Sequence, residues 1–126
     1  MTKKFRFYNT EEKLMISGEY WLLIDGNGEV YEYTMGRLSA QEKGKYEVMQ
    51  LTGLKDRKEK EIWEGDVVEY TYETYSGENS VVGVVSFDGG QFGLELSSQW
   101  IDISGKDSND FEVKGNAYEN PNIKVD

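Results

Sequence analysis

Apolar and polar side chains alternate strictly through residues 67–74, and this pattern limits the chain to folds built from half-buried strands. Val68, Tyr70 and Tyr72 fall on one face, while glutamate and threonine alternate on the other. Successive side chains of a strand point to opposite faces, whereas a helix needs apolar residues three or four positions apart. The stretch therefore predicts a strand with one face toward a core.

Further strands are predicted on both sides of it. The run at 81–87 (VVGVVSF) is apolar on both faces and is expected to be central. A tight turn is predicted at Gly89-Gly90, and alternation returns after it at 92–96 and 111–117. Upstream, the runs at 5–8, 13–16 and 46–51 predict strands. The runs at 20–24 and 29–34 flank an Asp/Gly/Asn turn, which is the clearest N-terminal hairpin.

Residues 35–44 lose the alternation. Ser39 followed by Glu42 has the spacing of a capping box, which favours one helical turn, and a loop is an equal alternative at this length. We predict a mainly β fold with at most one short helix, confined to this segment.

A chain of 126 residues has the size of one domain. We predict a single domain over 1–126, with residues 46–120 forming a small SH3-like antiparallel barrel. Residues 1–45 would form a hairpin layer before it. Closing a barrel suits such a chain because it hides the edges of strands.

Four blocks of the sequence resemble the YopX family of small phage- and prophage-encoded proteins. They are KFRFYNTEEKLM, QLTGLKDRKEKEIWEGDVVEY, GVVSFDGGQFGLEL and VKGNAYENP, and the second is the most specific. The resemblance implies a mostly β protein of a phage or prophage that works in the bacterial cytoplasm. It implies no catalytic residue, because the family has no established biochemical activity.

Two positions depart from the family pattern. Residues 57–60 (Arg-Lys-Glu-Lys) stand where the family usually has an Asn-Gly type of turn. Without glycine, a turn that needs two positive φ angles is disfavoured, so a longer or looser tip is expected. Asn9 stands where the family more often has aspartate, which puts any role of that carboxylate in doubt here.

The chain contains neither cysteine nor histidine. Disulfides, thiolate nucleophiles, the usual acid–base group at neutral pH and the commonest metal ligands are therefore absent. We predict no enzyme activity, no catalytic residues, no cofactor and no metal. Were the chain a carboxylate-dependent enzyme, Glu69 and Glu95 would be the first pair to test, and both are expected on polar faces open to water.

Negative charge is concentrated in the second half of the chain. Residues 66–126 contain three Lys or Arg against 12 Asp or Glu, a balance of −9 out of −10 for the whole sequence. This distribution has two interpretations: a surface that only keeps the protein soluble, or an acidic face that meets a basic partner. Nucleic acid is an unfavoured partner for so acidic a half.

The candidate protein-contact residues are Lys58, Lys60, Trp63 and Trp100. The lysines lie in a charged turn whose four cations are matched by four acids, which is a poor footprint for nucleic acid. The tryptophans lie in polar surroundings, and exposed aromatic side chains often anchor protein interfaces. For at least one of them, packing under the loop is the favoured alternative. We expect a homo-oligomer whose contact includes residues 55–66; a monomer is the alternative.

The leading functional hypothesis is a non-enzymatic phage accessory protein that binds an unknown host or phage protein. The alternatives are a nucleic-acid-associated factor of phage replication or regulation, and a carboxylate-dependent enzyme. No apolar run approaches the roughly 20 residues of a membrane span, and the polar N-terminus is not typical of a signal peptide, so a cytoplasmic protein is expected.

Overall fold

A computed structural model describes residues 4–17 and 21–126, and the chain divides into two compact units at residues 50 and 51. Strands account for 57% of the structure and helix for 2%. The prediction of a mainly β chain with antiparallel sheets is confirmed. The single-domain organisation with a change near residue 45 stays a prediction.

The N-terminal unit begins with β1 (Phe5–Asn9) and β2 (Leu14–Ser17), which pair antiparallel. The first half of β6 (Tyr46–Lys55) pairs with the other side of β1 through residues 46–50. The buried core of this unit consists of Phe7, Ile16, Leu22, Val30 and Tyr46.

A separate three-stranded sheet completes this unit, with β4 (Val30–Thr34) in the centre. It pairs with β3 (Leu22–Ile24) on one side and β5 (Arg37–Ala40) on the other. The predicted hairpin over 20–34 is therefore present, although Tyr20 lies outside the described residues.

Neither of the two alternatives for residues 35–44, a helical turn or a loop, describes residues 37–40, and the only helix predicted is confined to this segment. Residues 37–40 form β5, and all four of them are exposed. An edge strand with both faces in water carries no apolar alternation, so the pattern that marks the other strands is missing here. Among residues 4–17 and 21–126, the only helix is a single 3-10 turn, Ser108–Asp110.

The C-terminal unit is organised around β8 (Asp66–Thr74) and β9 (Gly77–Asp88) in a five-stranded antiparallel sheet. β10 (Gln91–Glu95) and β11 (Trp100–Asp102) follow on the β9 side, and β12 (Phe111–Asn116) returns to pair with β8. Within this unit, the second half of β6 pairs with the short β7 (Glu61–Trp63). The central position predicted for residues 81–87 is confirmed.

One face of the five-stranded sheet holds the core of this unit. Its members are the buried residues Ile62, Val68, Val85, Leu94, Leu96, Ile103 and Phe111. Tyr70 packs against this cluster, as the alternation predicts. Residues 4–17 and 21–126 contain no helix that is long and apolar enough to cross a membrane.

Gly65→Ala is expected to lower the free energy of unfolding by about 1–2 kcal/mol, the usual cost of a side chain in the left-handed region. Gly65 joins β7 to β8 with φ of +87°, and chemical denaturation of both proteins measures the difference. The matched control is Gly26→Ala, since a Cβ at Gly26 meets no atom within 4 Å and its φ is not positive. Equal stability of the two variants would contradict this turn geometry.

Candidate functional site

A buried carboxylate organises the turn between β6 and β7. Asp56 is 3% exposed, and its Oδ1 accepts hydrogen bonds from the backbone N–H groups of Lys58 and Lys60, both at 2.9 Å. Its Oδ2 accepts the N–H of Val113 in β12 at 3.0 Å. One side chain therefore closes the turn and joins it to the edge strand of the five-stranded sheet.

The tip is longer than a two-residue Asn-Gly type of turn, as expected, because three residues separate Asp56 from Lys60, but it is compact and not loose. The Asp56 N–H donates to the carbonyl of Lys60 at 2.9 Å, and the Glu59 N–H donates to the carbonyl of Asp56 at 3.0 Å. Only Glu59 has a positive φ, at +63°. The turn needs one left-handed residue instead of two, which is the pattern of a three-residue hairpin loop, and Asp56 satisfies the remaining donors.

Burial alone would raise the pKa of Asp56. The hydrogen bonds from Val113, Lys60 and Lys58 act in the opposite direction, and together they lower the pKa below its ordinary value. A carboxylate that accepts several backbone N–H groups favours its charged form. Asp56 is thus held ionised as a structural group.

Two glutamates stand directly opposite each other on the outer face of β8 and β12. Glu69 and Glu112 are register partners, and three cations surround them. Arg57 hydrogen-bonds Glu112 and lies 4.0 Å from Glu69, while Lys114 lies 3.3 Å from Glu112 and 3.8 Å from Glu69. Lys58 lies 3.6 Å from Glu112.

These cations lower the pKa of Glu112 to about 2, mainly through the hydrogen bond from Arg57 and then through that from Lys114. The same hydrogen bond raises the pKa of Arg57. Like charges directly opposite on a sheet repel. Positive charge from the β6–β7 turn and from Lys114 compensates the repulsion here.

The structure separates the four candidate protein-contact residues. Lys58 shares Glu112 but keeps a largely exposed side chain, and the side chain of Lys60 is exposed. Trp63 is half-buried in β7, where its backbone N–H donates to Asp66 Oδ2 at 2.7 Å. Trp100 lies on another strand, β11, so the four residues are not grouped on one element.

Trp100 lies flat over the backbone of Gly93 in β10. A Cβ at Gly93 would come within 2.1 Å of the indole ring, so no larger residue fits beneath it. The indole Nε1–H donates to Ser86 Oγ at 3.0 Å, and the side chain remains 37% exposed. Trp100 is therefore a fixed aromatic surface in the C-terminal unit.

The remaining candidate chemistry does not converge on one place. Glu69 lies on β8 and Glu95 on β10, with β9 between them in the sheet. In the described part of the chain, no group of three or more acidic residues is arranged to hold a metal ion. Asp107 caps the 3-10 turn, and its Oδ1 accepts the Asn109 N–H at 2.9 Å.

The N-terminal unit exposes large apolar side chains on one face of its three-stranded sheet. Tyr33 and Leu38 are register partners, and Leu23 pairs with Tyr31, so the alternation places all four on the same face. Leu23, Tyr33 and Leu38 are 45%, 50% and 59% exposed, and Met35 at the β4–β5 tip is fully exposed. We call Leu23, Tyr33, Met35 and Leu38 the apolar face.

Sequence reasoning missed three acids that organise the site: Asp56, Asp66 and Glu112. Asp56 and Asp66 are both buried, although each lies in a charged segment that suggests solvation. The only local signal was an aspartate just before a turn, where its side chain can accept nearby backbone N–H groups. The bond to Val113 joins residues 57 positions apart, and no local pattern predicts it.

Residues 4–123 match the model of the YopX family, described as YopX protein. This chain belongs to the YopX family. It is similar to the crystal structure of protein EF1440 from Enterococcus faecalis, at 25% identity and a TM-score of 0.63, over 97% of each chain. It also resembles protein yopX from Bacillus subtilis, at 22% identity and a TM-score of 0.64, over 97% of this chain and 98% of the other. No curated protein matches it.

These similarities cover nearly the whole chain, including β6–β8 and the β6–β7 turn. The resemblance drawn from the four sequence blocks is confirmed. The names of the two solved relatives state no ligand, reaction or partner.

Acid is expected to destabilise the protein partly through Glu112. Its pKa in the folded state, about 2, lies below its ordinary value of 4.5. The stabilisation is therefore fully present above pH about 4.5 and is lost as the pH falls through about 2. Melting temperatures measured between pH 6 and pH 2 should fall by fewer degrees per pH unit for Glu112→Gln than for the wild type.

The control for this experiment is Glu47→Gln, an exposed glutamate of β6. Its melting curves should follow those of the wild type across the same range. If Glu112→Gln followed them as well, the ion pairs around Glu112 would not contribute to folding stability.

Proposed function

We propose that this protein is a phage- or prophage-encoded accessory protein of the bacterial cytoplasm that acts without catalysis by binding another protein. Membership of the YopX family supports the phage origin. An SH3-like closure of residues 46–120 belongs to the same proposal. Strands β8, β9 and β10 with the returning β12 support it.

The observation that carries this proposal is the apolar face. Single exposed apolar residues are common on soluble proteins, but several on one sheet face mark a contact surface. The opposite side of the same sheet buries Leu22 and Val30 in the unit's core. The sheet is thus anchored on one side and presents Leu23, Tyr33 and Leu38 to solvent on the other.

Leu38→Asp is expected to weaken partner binding by about tenfold or more, because burying a leucine is worth about 1.5–3 kcal/mol and 1.4 kcal/mol corresponds to tenfold. The immobilised full chain is incubated with lysates of infected and uninfected host cells, and bound proteins are quantified by mass spectrometry. Folding should be unaffected, since Leu38 is exposed and lies on an edge strand.

The matched control is Leu14→Asp, which changes a similarly exposed leucine on β2, in a different sheet from the apolar face. A true partner is retained by Leu14→Asp and depleted by Leu38→Asp. Retention by both variants would place the contact elsewhere.

A nucleic-acid-associated role is the less favoured alternative. Residues 61–105 contain nine Asp or Glu and no Lys or Arg. Of the cations in the β6–β7 turn, Arg57 and Lys58 lie within ion-pair distance of Glu112. A binder of phosphate backbones needs free, clustered positive charge and loses affinity steeply as salt rises.

A second copy of the chain is one protein partner within this proposal. The side chains of Lys58 and Lys60 are exposed at the β6–β7 turn, Lys58 while also 3.6 Å from Glu112, and the acidic residues 66–126 offer the opposite charge. Such a contact joins two different surfaces, with the half-buried Trp63 beside it. Trp100 offers a further aromatic contact on β11.

Lys58→Glu combined with Lys60→Glu is expected to shift an oligomer toward the monomer, because both changes place negative charge against the acidic half. Light scattering at low salt measures the mass, and a 14.5 kDa species is the monomer. Lys43→Glu with Lys124→Glu changes the net charge equally at exposed positions and should leave the oligomer intact. A wild-type protein that stays monomeric at high concentration would remove self-association.

A further inference from the structure

The outer part of the β8–β9 hairpin extends beyond the strands that flank it. Pairing of β8 with β12 ends at Tyr70 and Phe111, and pairing of β9 with β10 begins at Val84. From Thr71 to Ser80 the two strands pair only with each other. We call residues 71–80 the ribbon, and among the described residues no further strand pairs with either of its outer edges.

Two glutamates face each other across the ribbon without compensation. Glu73 and Glu78 are register partners, and both are exposed. No Lys or Arg in the described segments 4–17 and 21–126 forms an ion pair with either of them. Two like charges directly opposite on a sheet destabilise the pairing.

The same chain shows how an opposed glutamate pair is neutralised. Glu69 and Glu112 have the same register relationship, and three cations from neighbouring segments lie within 4.0 Å of them. The ribbon lacks such a supply, since no cation occurs between residues 61 and 105. Lys106, the next cation, stands over the ring of Tyr70 at 5.5 Å.

Aromatic packing holds the base of the ribbon in place. Tyr72 stacks on Tyr70 with ring centroids 5.6 Å apart, and Tyr70 stacks on the buried Phe111 at 5.1 Å. The Asn79 side-chain amide donates to the Tyr72 hydroxyl at 3.2 Å, which ties the two strands together. The glutamates are therefore presented by a fixed scaffold.

The shape and chemistry around the glutamates suit a cationic side chain. A pocket of about 180 Å³ is lined by Tyr70, Thr71, Tyr72, Glu73, Glu78 and Asp110. Three of these residues carry carboxylates, which attract an arginine or lysine through charge-assisted hydrogen bonds. Tyr75 at the tip of the ribbon is fully exposed and adds an aromatic anchor.

We infer that the ribbon is a docking surface for a basic segment of a protein partner, with an arginine or lysine side chain between Glu73 and Glu78. The partner supplies the positive charge that this part of the chain lacks. The inference rests on the proposed function, since it gives the chemistry of a protein partner. It concerns a surface separate in sequence from the apolar face.

The test uses the full chain and a dye-labelled peptide in which arginine and threonine alternate, with binding followed by fluorescence anisotropy. Glu73→Gln with Glu78→Gln is expected to weaken binding at least tenfold, as for close interfacial charge pairs, and to flatten its salt dependence. The same variant is expected to melt at a higher temperature than the wild type, because the repulsion across the ribbon is gone. Greater stability with lost binding distinguishes a binding site from a structural pair.

The matched control is Glu61→Gln with Glu95→Gln, two exposed glutamates of the same acidic stretch that lie off the ribbon. Retained binding by this control supports the ribbon as the site. Equal weakening by both double variants, or equal binding of a glutamate–threonine peptide, would overturn the inference in favour of general attraction to an acidic surface.

Two further arms exclude other occupants. Light scattering that shows self-association lost in Glu73→Gln with Glu78→Gln would identify a second copy as the occupant and overturn the inference. Calcium that raises the melting temperature of the wild type but not of this variant would identify a metal ion and do the same. A wild-type protein that fails to bind the arginine–threonine peptide, while it still binds a partner through Leu38, would overturn this inference alone and leave the proposed function standing.

Discussion

The carboxylate of Asp56 is the contact on which the β6–β7 turn and the edge of the five-stranded sheet both depend. It is almost fully buried, and the N–H groups of Lys58, Lys60 and Val113 satisfy its two oxygens. A buried carboxylate is costly unless it is hydrogen-bonded, and a buried N–H is costly without an acceptor. Each group offsets the other's cost, so removing the side chain would leave donors unsatisfied in both the turn and β12.

When the turn is held in this way, two of its cations form ion pairs with the five-stranded sheet. Arg57 bonds the side chain of Glu112, and its own N–H donates to the carbonyl of Phe111 at 2.9 Å. Arg57 and Lys58 thereby neutralise an opposed glutamate pair on the sheet, together with Lys114. A segment that resembles a free cationic tip in the sequence is in large part an internal ion-pair network.

The two glutamates of the ribbon have no ion pair with the cations of the described residues, and this contrast separates structural acids from candidate binding acids. Glu112 is paired and has a lowered pKa, whereas Glu73 and Glu78 oppose each other on an exposed ribbon. The N-terminal unit shows the same contrast in apolar form. Leu22 and Val30 are buried on one face of its sheet, and Leu38 is exposed on the other. Each surface has an unfavourable local free energy, from charge repulsion on the ribbon and from exposed apolar area on the apolar face, and contact with a partner would remove it.

The sequence by itself determined that this chain is mainly β, where most of its strands lie and which family it belongs to. The alternation of apolar and polar residues predicts β8, and the run that is apolar on both faces predicts β9. A strand with one buried face alternates, whereas a strand buried on both faces is apolar throughout. Only the tertiary structure decided β5 and the role of Asp56. β5 is exposed and carries no apolar pattern, so its pairing with β4 identifies it. Asp56 lies in a run of charged residues, and it becomes a buried acceptor because folding brings Val113 beside it from the far end of the chain. Local periodicity records which face is buried, whereas contacts between distant segments depend on how the strands are arranged in space.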